Sequence, residues 1–560
     1  MRLLYNLKSQ KVDMHMSDSN VGGRKGKSGI NHIWMINGII HDHRSSVNKH
    51  PIVLQQYDYR QMFDGMDSSE ACGDIFNYGV NDDHLNLLHE ANKSIVINVR
   101  TPYGVTDDYN ITNKIMQGDT WASAMASTQV DSFGKEMIKE NPSYMYKYLG
   151  QVPIPVLGMV DDLIGIAEAG HKTKLLNAFI NVKTADKDLQ FGAEKCKTMT
   201  VSKRKPYTFQ TPALSVDTWE IIHRENGVME ENFIGKKNIV EEKTLVYLGH
   251  VLSKTGGNLE NIIDKKNKSI GTQKQIKKMI DGLGPFCFEG ALIYIHTLIR
   301  TSILYAAETM YNVTEKELRA LESIEESVLQ EVFVTKRSCP KRLLYLEIGL
   351  YPARFQVHRQ MLNFLQYILH QPSESLLYRM YKIQKENPSK GDWVSSVKEL
   401  VETYNINLTL KQIQDMKRSL FKNHVKRQVE KLAFTSLTQK QKGGKKGQQI
   451  DYKYLQMADY LLPECEVSNK DKIELFHIRT EMNDLPFNYG NKIICDKGCN
   501  EVLDNQHFLD CPLVNSKKNE VNEYKKILNG SMDEKIITLR KFQEEQKQRK
   551  KTLWDSVSIY

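Results

Sequence analysis

Three carboxylates have the residue type and spacing that metal-assisted phosphoryl chemistry requires. Asp161 and Asp162 are adjacent in LGMVDDLIG, an apolar stretch with the pattern of a hairpin, and Asp58 ends the strand-like run VLQQYD about a hundred residues earlier. Because a carboxylate buried without a partner is unfavourable, a divalent cation is the simplest compensation. Carboxylates that hold Mg²⁺ support nucleotidyl transfer. The alternative interpretation is a pair of solvated turn acids, since aspartate favours turns.

The segments that must position these acids alternate between strand and helix patterns, which predicts an α+β region over residues 50–255. Strands are predicted at 52–57, 94–100, 111–117, on both sides of the acidic pair, at 197–202, and as a strand pair at 244–252. Helices are predicted at about 67–91, 120–139 and 171–188, and a glycine-rich basic turn at 17–38 leads into an amphipathic helix.

After Gly257 the pattern changes to a helical period that continues to about residue 430. A basic, glycine-bearing linker follows at 438–449, then a small cysteine–histidine region at 493–512. The last part of the chain is predicted to be a charged helix containing KQRKK. Both basic segments could contact phosphate or act as nuclear import signals, but a solvated linker and a helix end explain them equally well.

Composition limits the class of protein. A chain of 560 residues is too long for one core, so about three or four domains are expected. No run approaches the roughly 20 apolar residues of a membrane span, and the first residues lack an apolar signal core. We therefore expect an intracellular protein of the nucleus or cytoplasm with no membrane partner. The net charge of +9 permits a polyanionic partner without requiring one.

Eight cysteines in a chain of this length do not form a disulfide framework. Five are scattered and are interpreted as buried thiols: Cys72, Cys196, Cys287, Cys339 and Cys465. The remaining group has the spacing C-x3-C-x7-H-x3-C, formed by Cys495, Cys499, His507 and Cys511. Thiolate and imidazole ligands on a short loop favour a structural Zn²⁺, which would serve as the centre of a region too small to fold unaided. Unpaired cysteines near a helix are the alternative.

Six motifs follow one another in an order that resembles a reverse transcriptase of the non-LTR (LINE-like) retrotransposon type. They are the basic loop SDSNVGGRKGKSG, then DYRQMFD, QGD, VDD, FGAEKCK and YLGH. The likeness runs from about residue 17 to 310 and returns at HFLDCP, which resembles the end of the knuckle that follows the polymerase in LINE-like proteins. Any one of these motifs recurs by chance, so their order and spacing carry the resemblance.

The resemblance implies an RNA-directed DNA polymerase that extends a DNA primer on an RNA template with dNTPs. Asp58 and Asp161 would bind two catalytic Mg²⁺ ions, and Asp162 would support them. Lys195 could protonate the leaving pyrophosphate as a general acid, although Lys197 is close enough to leave the assignment open.

The resemblance also implies a nucleotide-binding role for five residues. Arg24 and Lys25 would neutralise the triphosphate, unless they belong to a solvated basic turn. Gln117 and Gly118 would let the backbone approach the nucleotide, because glycine has no side chain to obstruct it. Phe63 would pack under the incoming sugar and reject a 2′-hydroxyl by collision, unless it is a core phenylalanine.

The implied fold is a right-hand polymerase. It would have partial fingers, an RRM-like palm whose antiparallel sheet carries helices on one face, a helical thumb and a small C-terminal zinc knuckle that contacts RNA or target DNA. The expected domains are 1–50 partial fingers, 51–257 palm with remaining fingers elements, 258–370 helical thumb, 371–485 helical and basic linker, 486–530 CCHC knuckle-like region and 531–560 charged helical tail.

The basic loop begins only about 20 residues after Met1, so we expect an N-terminally truncated member of the family. A truncated chain that binds nucleic acid without catalysis is therefore the alternative function. A related polymerase such as an intron maturase is a third hypothesis, against which the C-terminal cysteine cluster argues.

Overall fold

The computed structural model describes residues 12–80, 83–112, 114–116, 118–119, 121–203, 213–223, 229–283, 288–333, 335, 339–439, 450–462, 465–480, 494–495, 497, 499–511 and 523–557. The chain is a mixed helix and sheet protein that divides into two compact units. The first contains Met1–Asn261, Glu308–Val313 and Phe364–Glu399. The second contains Ile262–Ala307, Thr314–Asn363 and Leu400–Tyr560.

The strands lie in the first unit. In chain order they are β1 Ile52–Asp58, β2 Ser94–Ile97, β3 Arg100–Thr101, β4 Gly104–Val105, β5 Tyr109–Thr112, β6 Tyr146–Tyr148, β7 Val152–Ile154, β8 Leu157–Met159, β9 Asp162–Glu168, β10 Lys197–Val201, β11 Ser215–His223, β12 Met229–Asn238, β13 Val240–Glu241, β14 Thr244–Tyr247 and β15 His250–Ser253. Five of them form the central sheet in the order β13-β10-β1-β9-β8, with β1 antiparallel to both β9 and β10.

The α-helices, in chain order, are α1 Gly29–Ser45, α2 Met62–Gly65, α3 Ser68–Asn77, α4 Asp83–Lys93, α5 Ala122–Glu140, α6 His171–Ala185, α7 Leu259–Leu283, α8 Phe288–Tyr294, α9 Thr301–Ile303, α10 Glu315–Val332, α11 Lys341–Ile348, α12 Ala353–Leu369, α13 Leu376–Glu386, α14 Trp393–Thr403, α15 Leu410–Asp415, α16 Arg418–Thr438, α17 Asn469–Arg479, α18 Asn505–Asp510, α19 Glu523–Asn529 and α20 Met532–Val557. None of the described helices is both long enough and apolar enough to span a bilayer.

Neighbouring residues of β1 point to opposite faces of the sheet, so that Tyr57 packs in the apolar core and Asp58 does not. The Tyr57 hydroxyl donates to the Asn177 side chain of α6 over 2.7 Å, so Tyr57 faces that helix. Successive side chains of a strand point to opposite faces, which places Asp58 on the other face of the sheet. Helices α5 and α6 share one apolar core beneath β1 and β9 that includes Tyr57, Leu163 and Phe133. The carboxylate is therefore carried by a strand whose position is set by packing on the opposite face.

The first long helix, α1, is buried around most of its circumference, so the prediction of an amphipathic helix was wrong. It begins at the N-cap Ser28, whose hydroxyl accepts from the Ile30 N–H. Trp34, 0% exposed, packs edge-on against Trp393 with ring centroids 5.5 Å apart. Part of the cover of the helix comes from 308–313 and 364–399 of the same unit, far along the chain, which is why local periodicity misjudged it.

Most of the other predicted elements are confirmed, with four corrections. The strand predicted at 111–117 is instead β5, Tyr109–Thr112, which begins and ends earlier. The region 67–91 is two helices, α3 and α4, rather than one. The run before the acidic pair is divided at Pro155, because β7 pairs with β6 whereas β8 pairs with β9. The hairpin β11–β12 was not predicted. Cys72, Cys196 and Cys339 are buried as predicted, Cys465 is partly exposed, and Cys287 lies outside the described residues.

The second unit is helical over its described residues. Its core contains a fully desolvated ion pair in which the Arg479 guanidinium Nε donates to both carboxylate oxygens of Glu347 over 2.9 and 3.0 Å. The Tyr460 hydroxyl donates to the same carboxylate over 2.6 Å. Such a pair is tolerated in a core only when its remaining hydrogen-bonding groups are also satisfied. Arg479 meets that requirement by donating to the Ile527 carbonyl at the end of α19.

Candidate active site and metal cluster

Backbone pairing brings the three carboxylates to one end of the central sheet. The register of β1 and β9 places Asp58 directly opposite Asp162, and that of β8 and β9 places Met159 opposite Asp162. The hairpin turn between β8 and β9 therefore consists of Val160 and Asp161. Residues directly opposite in an antiparallel pair have their Cα atoms about 5 Å apart and share a face. Asp58 and Asp162 are thus neighbours, with Asp161 in the turn beside them.

The turn has an unusual backbone conformation. Val160 has φ +59°, in the left-handed region, which a β-branched side chain rarely occupies. A tight hairpin turn requires such an angle, but glycine or asparagine normally supplies it. A non-glycine residue in this conformation costs on the order of 1–3 kcal/mol and persists only where neighbouring structure imposes it. The strain lies one residue before Asp161.

The carboxylates disturb one another electrostatically. Burial and, to a smaller extent, the negative charges of Asp161 and Asp58 together raise the pKa of Asp162 to about 6. Ionising Asp162 is therefore unfavourable in the isolated chain. Carboxylate oxygens converging from two chain segments are the ligands that Mg²⁺ prefers, and a divalent charge would reverse this penalty. The donor set therefore fits the ion that the sequence predicts.

One lysine supplies a counter-charge. The Lys195 ammonium lies 3.0 Å from the Asp58 carboxylate, and this hydrogen bond raises the pKa of Lys195 above its usual value. The Gly192 N–H donates to the Asp58 carbonyl over 2.9 Å, which fixes the start of the loop that carries the lysine. Lys197 lies instead 3.9 Å from Glu242. The geometry thus shows that Lys195, and not Lys197, lies beside Asp58, a choice that the sequence alone left open.

The other residues expected to touch nucleotide are distributed around this sheet edge. Phe63 is half-buried on α2, directly after β1, and packs against the core beneath the sheet. Gly118 has φ +96° with open space around its Cα, so the backbone angle rather than a close contact demands glycine there. Gln117 lies outside the described residues.

The two cations of the basic loop have different environments. The Arg24 side chain is only 7% exposed and is paired with the Asp13 carboxylate. Its guanidinium also donates to the carbonyls of Ser17 and, over 2.8 Å, Asn20, so it holds the loop together. Lys25 is exposed and has no acidic partner among the described residues. Of the two, Lys25 is the cation that a polyphosphate could reach without rearranging the loop.

A residue that sequence reasoning missed connects the acids to the YLGH hairpin. The Gln56 side chain donates to the Val246 carbonyl on β14 over 2.7 Å. Gln56 lies two residues before Asp58 and so shares its face of β1, and that alternation was the available signal. The turn of the hairpin has left-handed angles at Leu248, φ +49°, and Gly249, φ +75°.

The four predicted zinc ligands lie together in the second unit, where their ligand atoms are all within 4.8 Å of one another. The sulfur atoms of Cys495 and Cys511 are 3.7 Å apart, and those of Cys499 and Cys511 are 4.0 Å apart. Tetrahedral Zn²⁺ with Zn–S bonds of about 2.3 Å requires sulfur–sulfur separations of about 3.8 Å. The cluster therefore has the dimensions of a structural zinc site.

Neighbouring residues shape this cluster. The bridge between Ile494 and Val502 folds the first two cysteines into a small hairpin. The Asp504 carboxylate accepts from the His507 N–H over 2.7 Å and so caps α18, which carries the imidazole. The Glu501 carboxylate lies 3.2 Å from His507 Nδ1, which leaves Nε2 to face Cys499 at 3.0 Å. A carboxylate on the second ring nitrogen is the common way to orient a metal-binding histidine.

The surroundings of Cys495 favour loss of its thiol proton. Burial opposes ionisation of Cys495, but hydrogen bonds from the Lys497 backbone and from Cys499, His507 and Cys511 outweigh it and lower the pKa to about 7. Metal ligation requires the thiolate rather than the thiol. Cys495 therefore favours the protonation state that Zn²⁺ needs.

No family model matches the chain, and no curated protein matches its sequence. Among solved structures, it is similar to telomerase from Candida albicans in complex with the TWJ fragment of telomeric RNA, at 11% identity and TM-score 0.32 over 60% of this chain and 55% of that one. It is also similar to apo telomerase from Candida tropicalis, at 11% identity and TM-score 0.34 over 76% and 60% of the two chains. Candida tropicalis telomerase with the TWJ fragment gives 9% identity and TM-score 0.31 over 68% and 56%.

The chain therefore spans 55–60% of the length of these telomerase chains. At TM-scores this low the likeness carries no information about function.

Asp162→Asn should stabilise the metal-free protein at neutral pH. The folded pKa of Asp162 is raised to about 6, whereas the unfolded value is about 3.9. The contribution of Asp162 to the free energy of unfolding therefore declines as pH rises through this window. We expect Tm in EDTA to rise by about 2 °C at pH 7.5 and to change little near pH 4, measured by thermal unfolding.

The matched control is Asp107→Asn, at an exposed turn acid, which should leave Tm unchanged at both pH values. A lower Tm for Asp162→Asn at pH 7.5 would contradict the electrostatic account of the site.

Glu501→Gln should weaken zinc binding by about tenfold without preventing it, because the amide orients His507 less strongly than the carboxylate does. Competition with a chromophoric chelator measures the affinity, and the visible spectrum of the Co²⁺ form reports whether coordination stays tetrahedral. Glu544→Gln, at an exposed position of α20, is the control. An affinity equal to that of the unaltered chain would show that Glu501 does not orient the ligand.

Proposed function

We propose that this chain is an RNA-directed DNA polymerase of the non-LTR retrotransposon type, which extends a DNA primer on an RNA template. The observation that carries the proposal is the register that sets Asp58 opposite Asp162 and beside Asp161, with Lys195 at the same end of the sheet. These residues come from three motifs whose order along the chain resembles that family. The pairing supports one shared site rather than three separate surface acids.

In this proposal Asp58 and Asp161 hold two Mg²⁺ ions, and Asp162 supports them by its charge and by its place in β9. Bound Mg²⁺ supplies activation of the primer 3′-hydroxyl and stabilisation of the leaving pyrophosphate. The primer oxygen forms a bond to the α-phosphorus of the dNTP, and the bond from that phosphorus to pyrophosphate breaks. The rigid sheet contributes by holding the carboxylates where that charge develops.

Lys195 has two roles in the proposal. In the metal-free chain it partly neutralises Asp58 at 3.0 Å. During transfer its ammonium would donate a proton to the leaving pyrophosphate as a general acid. Its raised pKa keeps it protonated at neutral pH, so it is charged when nucleotide arrives.

The remaining residues would shape the nucleotide pocket. Lys25 would neutralise the triphosphate, and Arg24 would join it only by exchanging its internal partners. Gly118, with Gln117 before it, would form a turn close to the nucleotide. Phe63 would lie under the sugar and exclude a 2′-hydroxyl by its volume.

The outer parts of the chain would handle nucleic acid. We propose that 51–257 forms the palm with remaining fingers elements, that 258–370 forms a thumb that grips the template–primer duplex, and that the zinc cluster contacts RNA or target DNA. The proposal is supported by the four potential zinc ligands, whose ligand atoms all lie within 4.8 Å of one another.

Asp161→Asn should abolish primer extension. The purified full chain, an RNA template, a DNA primer, dNTPs and Mg²⁺ form the assay, and we expect the rate to fall by about 10³-fold because the amide is a poor ligand for Mg²⁺. Asp107→Asn is again the exposed control and should extend normally. If the unaltered chain extends nothing and Asp161→Asn behaves identically, the proposed activity is wrong.

A nucleic-acid-binding chain without catalysis is the alternative that this experiment separates. It predicts salt-sensitive binding of RNA or DNA that is unaffected by loss of Asp58 or Asp161, since phosphate contacts release counterions and involve no acid. Burial of the Arg24 guanidinium against Asp13 is the observation that favours it, because this cation is not displayed toward a triphosphate.

Phe63→Val should weaken discrimination against ribonucleotides. Removing the ring opens space for a 2′-hydroxyl, so we expect the ratio of kcat/KM for rNTP to that for dNTP to rise by about 10–100-fold. Single-nucleotide incorporation measures both constants. Phe76→Val, at an exposed position of α3, is the control. A ratio unchanged by Phe63→Val would show that Phe63 is a packing residue only.

A further inference from the structure

The strand that leads into the catalytic turn is covered on its outer side by the N-terminal segment Ser19–Gly22. The Val21 N–H donates to the Gly158 carbonyl over 3.1 Å, and the Gly158 N–H donates to the Ser19 carbonyl over 2.8 Å. Asn20 thereby forms a parallel bridge with Gly158 in β8. The segment therefore extends the central sheet beyond β8 by one short, irregular strand.

One side chain fixes this segment in place. Asn20, 1% exposed, donates through Nδ2 to the Ser127 carbonyl of α5 over 2.8 Å and accepts from the Gly22 N–H over 2.9 Å. The Ser127 hydroxyl in turn donates to the Gly22 carbonyl over 3.3 Å. Both backbone groups of Gly22 are thus held, so its Cα has little freedom to move away from its neighbours.

The neighbour of Gly22 is the strained turn. A Cβ on Gly22 would lie 2.7 Å from the Val160 backbone nitrogen, 2.9 Å from Val160 Cγ2 and 2.7 Å from Ser127 Oγ. Carbon atoms pack at roughly 3.5–4.0 Å, and one of the two nearest contacts is with the Val160 backbone, which cannot rotate aside as the Ser127 hydroxyl can. Only glycine permits this approach. Gly22 has an ordinary negative φ, so close packing rather than its own conformation demands glycine.

A second glycine makes a similar approach at the other end of the basic loop. A Cβ on Gly29, the first residue of α1, would lie 3.1 Å from Met159 Sδ and 2.6 Å from Leu248 Cδ1. The loop therefore touches both the residue before the catalytic turn and the turn of the YLGH hairpin. Its two ends pack against the hairpin that carries Asp161.

We propose that Gly22 is a positioning residue for the Val160–Asp161 turn. The segment Ser19–Gly22 presses on Val160 and imposes the left-handed conformation that valine otherwise avoids, and this conformation aims the Asp161 carboxylate at the metal site. The assignment rests on the proposed function of the carboxylates. It adds that the metal site depends on a loop more than a hundred residues earlier, through packing and without any contact to the metal or to nucleotide.

The test compares Gly22→Ala with the double variant Gly22→Ala/Val160→Gly in the full chain. The added methyl group should displace the turn, lowering kcat for primer extension by about 100-fold, since small misplacements of reacting groups are costly, while KM for dNTP stays within about twofold. Mn²⁺ binding followed by EPR should weaken by about tenfold in the absence of nucleotide. The double variant should recover part of both losses, because glycine at position 160 removes Cγ2 and lets the backbone nitrogen of that residue move away from the added methyl group without strain.

Gly73→Ala is the control, since a Cβ there meets nothing within 4 Å. Asn20→Ala is a second variant that adds no volume, and loosening the segment should weaken Mn²⁺ binding in the same direction even if Gly22→Ala does not fold. Unchanged kcat and Mn²⁺ affinity in Gly22→Ala or Asn20→Ala, with only Tm lowered, would overturn the inference. Failure of the double variant to recover activity would also overturn it.

The outcomes separate this inference from the proposed function. A chain that binds Mn²⁺ but extends no primer, with binding weakened by Gly22→Ala, disproves the polymerase and keeps the positioning role. A chain that extends primer equally well with either residue at position 22 keeps the polymerase and disproves the positioning role. A chain that neither binds Mn²⁺ nor extends primer disproves both.

Discussion

Mutual repulsion among three carboxylates at one end of the central sheet is the constraint on which the rest of the first unit depends. The β1–β9 register forces Asp58 and Asp162 to be neighbours, and the pKa of Asp162 is raised because burial and the charges of Asp161 and Asp58 all oppose its ionisation. Placing the three carboxylates close together raises the free energy of the folded state, so other interactions of the fold have to offset it. Packing of α5 and α6 beneath the sheet supplies that stabilisation, since it buries Tyr57 and Leu163 on the face opposite the acids.

The surroundings of the acids show how the fold keeps them in place. Lys195 compensates Asp58 from one side, Gln56 ties β1 to the YLGH hairpin, and the segment Ser19–Gly22 closes over the turn from the other side. In the inference drawn above, strain at Val160 is tolerated because the segment Ser19–Gly22 packs against the turn. In the metal-free site the three carboxylates repel one another. A bound divalent cation would remove this repulsion, which favours binding of the cation.

The cysteine–histidine cluster of the second unit brings four potential ligands of a metal ion together. Its contacts connect it to the helices around it. Phe508 on α18 packs against Phe542 on α20 with ring centroids 5.0 Å apart, and the Asp510 carboxylate accepts from the first N–H of α19 over 2.7 Å. The Glu347–Arg479 pair anchors α17 to α19 nearby. A zinc ion would therefore stabilise a helical assembly larger than its own loop.

Sequence reasoning succeeded where the signal is local. Alternation predicted β1 and the hairpin around the acids, and ligand spacing predicted the metal cluster. It could not separate Lys195 from Lys197, because only the turn after Gly192 decides which one points to Asp58. It judged α1 to be amphipathic because the residues that bury its outer face come from segments more than 260 residues later. The internal pairing of Arg24 was equally invisible, since Asp13 had no motif to mark it.

The proposed function requires that Asp58 and Asp161 form one site for two divalent ions. Anomalous scattering from Mn²⁺ in crystals of the full chain with RNA template, DNA primer and a non-hydrolysable dNTP analogue tests it most directly. We predict two anomalous peaks about 4 Å apart, each in contact with both carboxylates or bridged to them by the triphosphate. Anomalous density absent from this end of the sheet, or bound by only one of the two aspartates, would contradict the account.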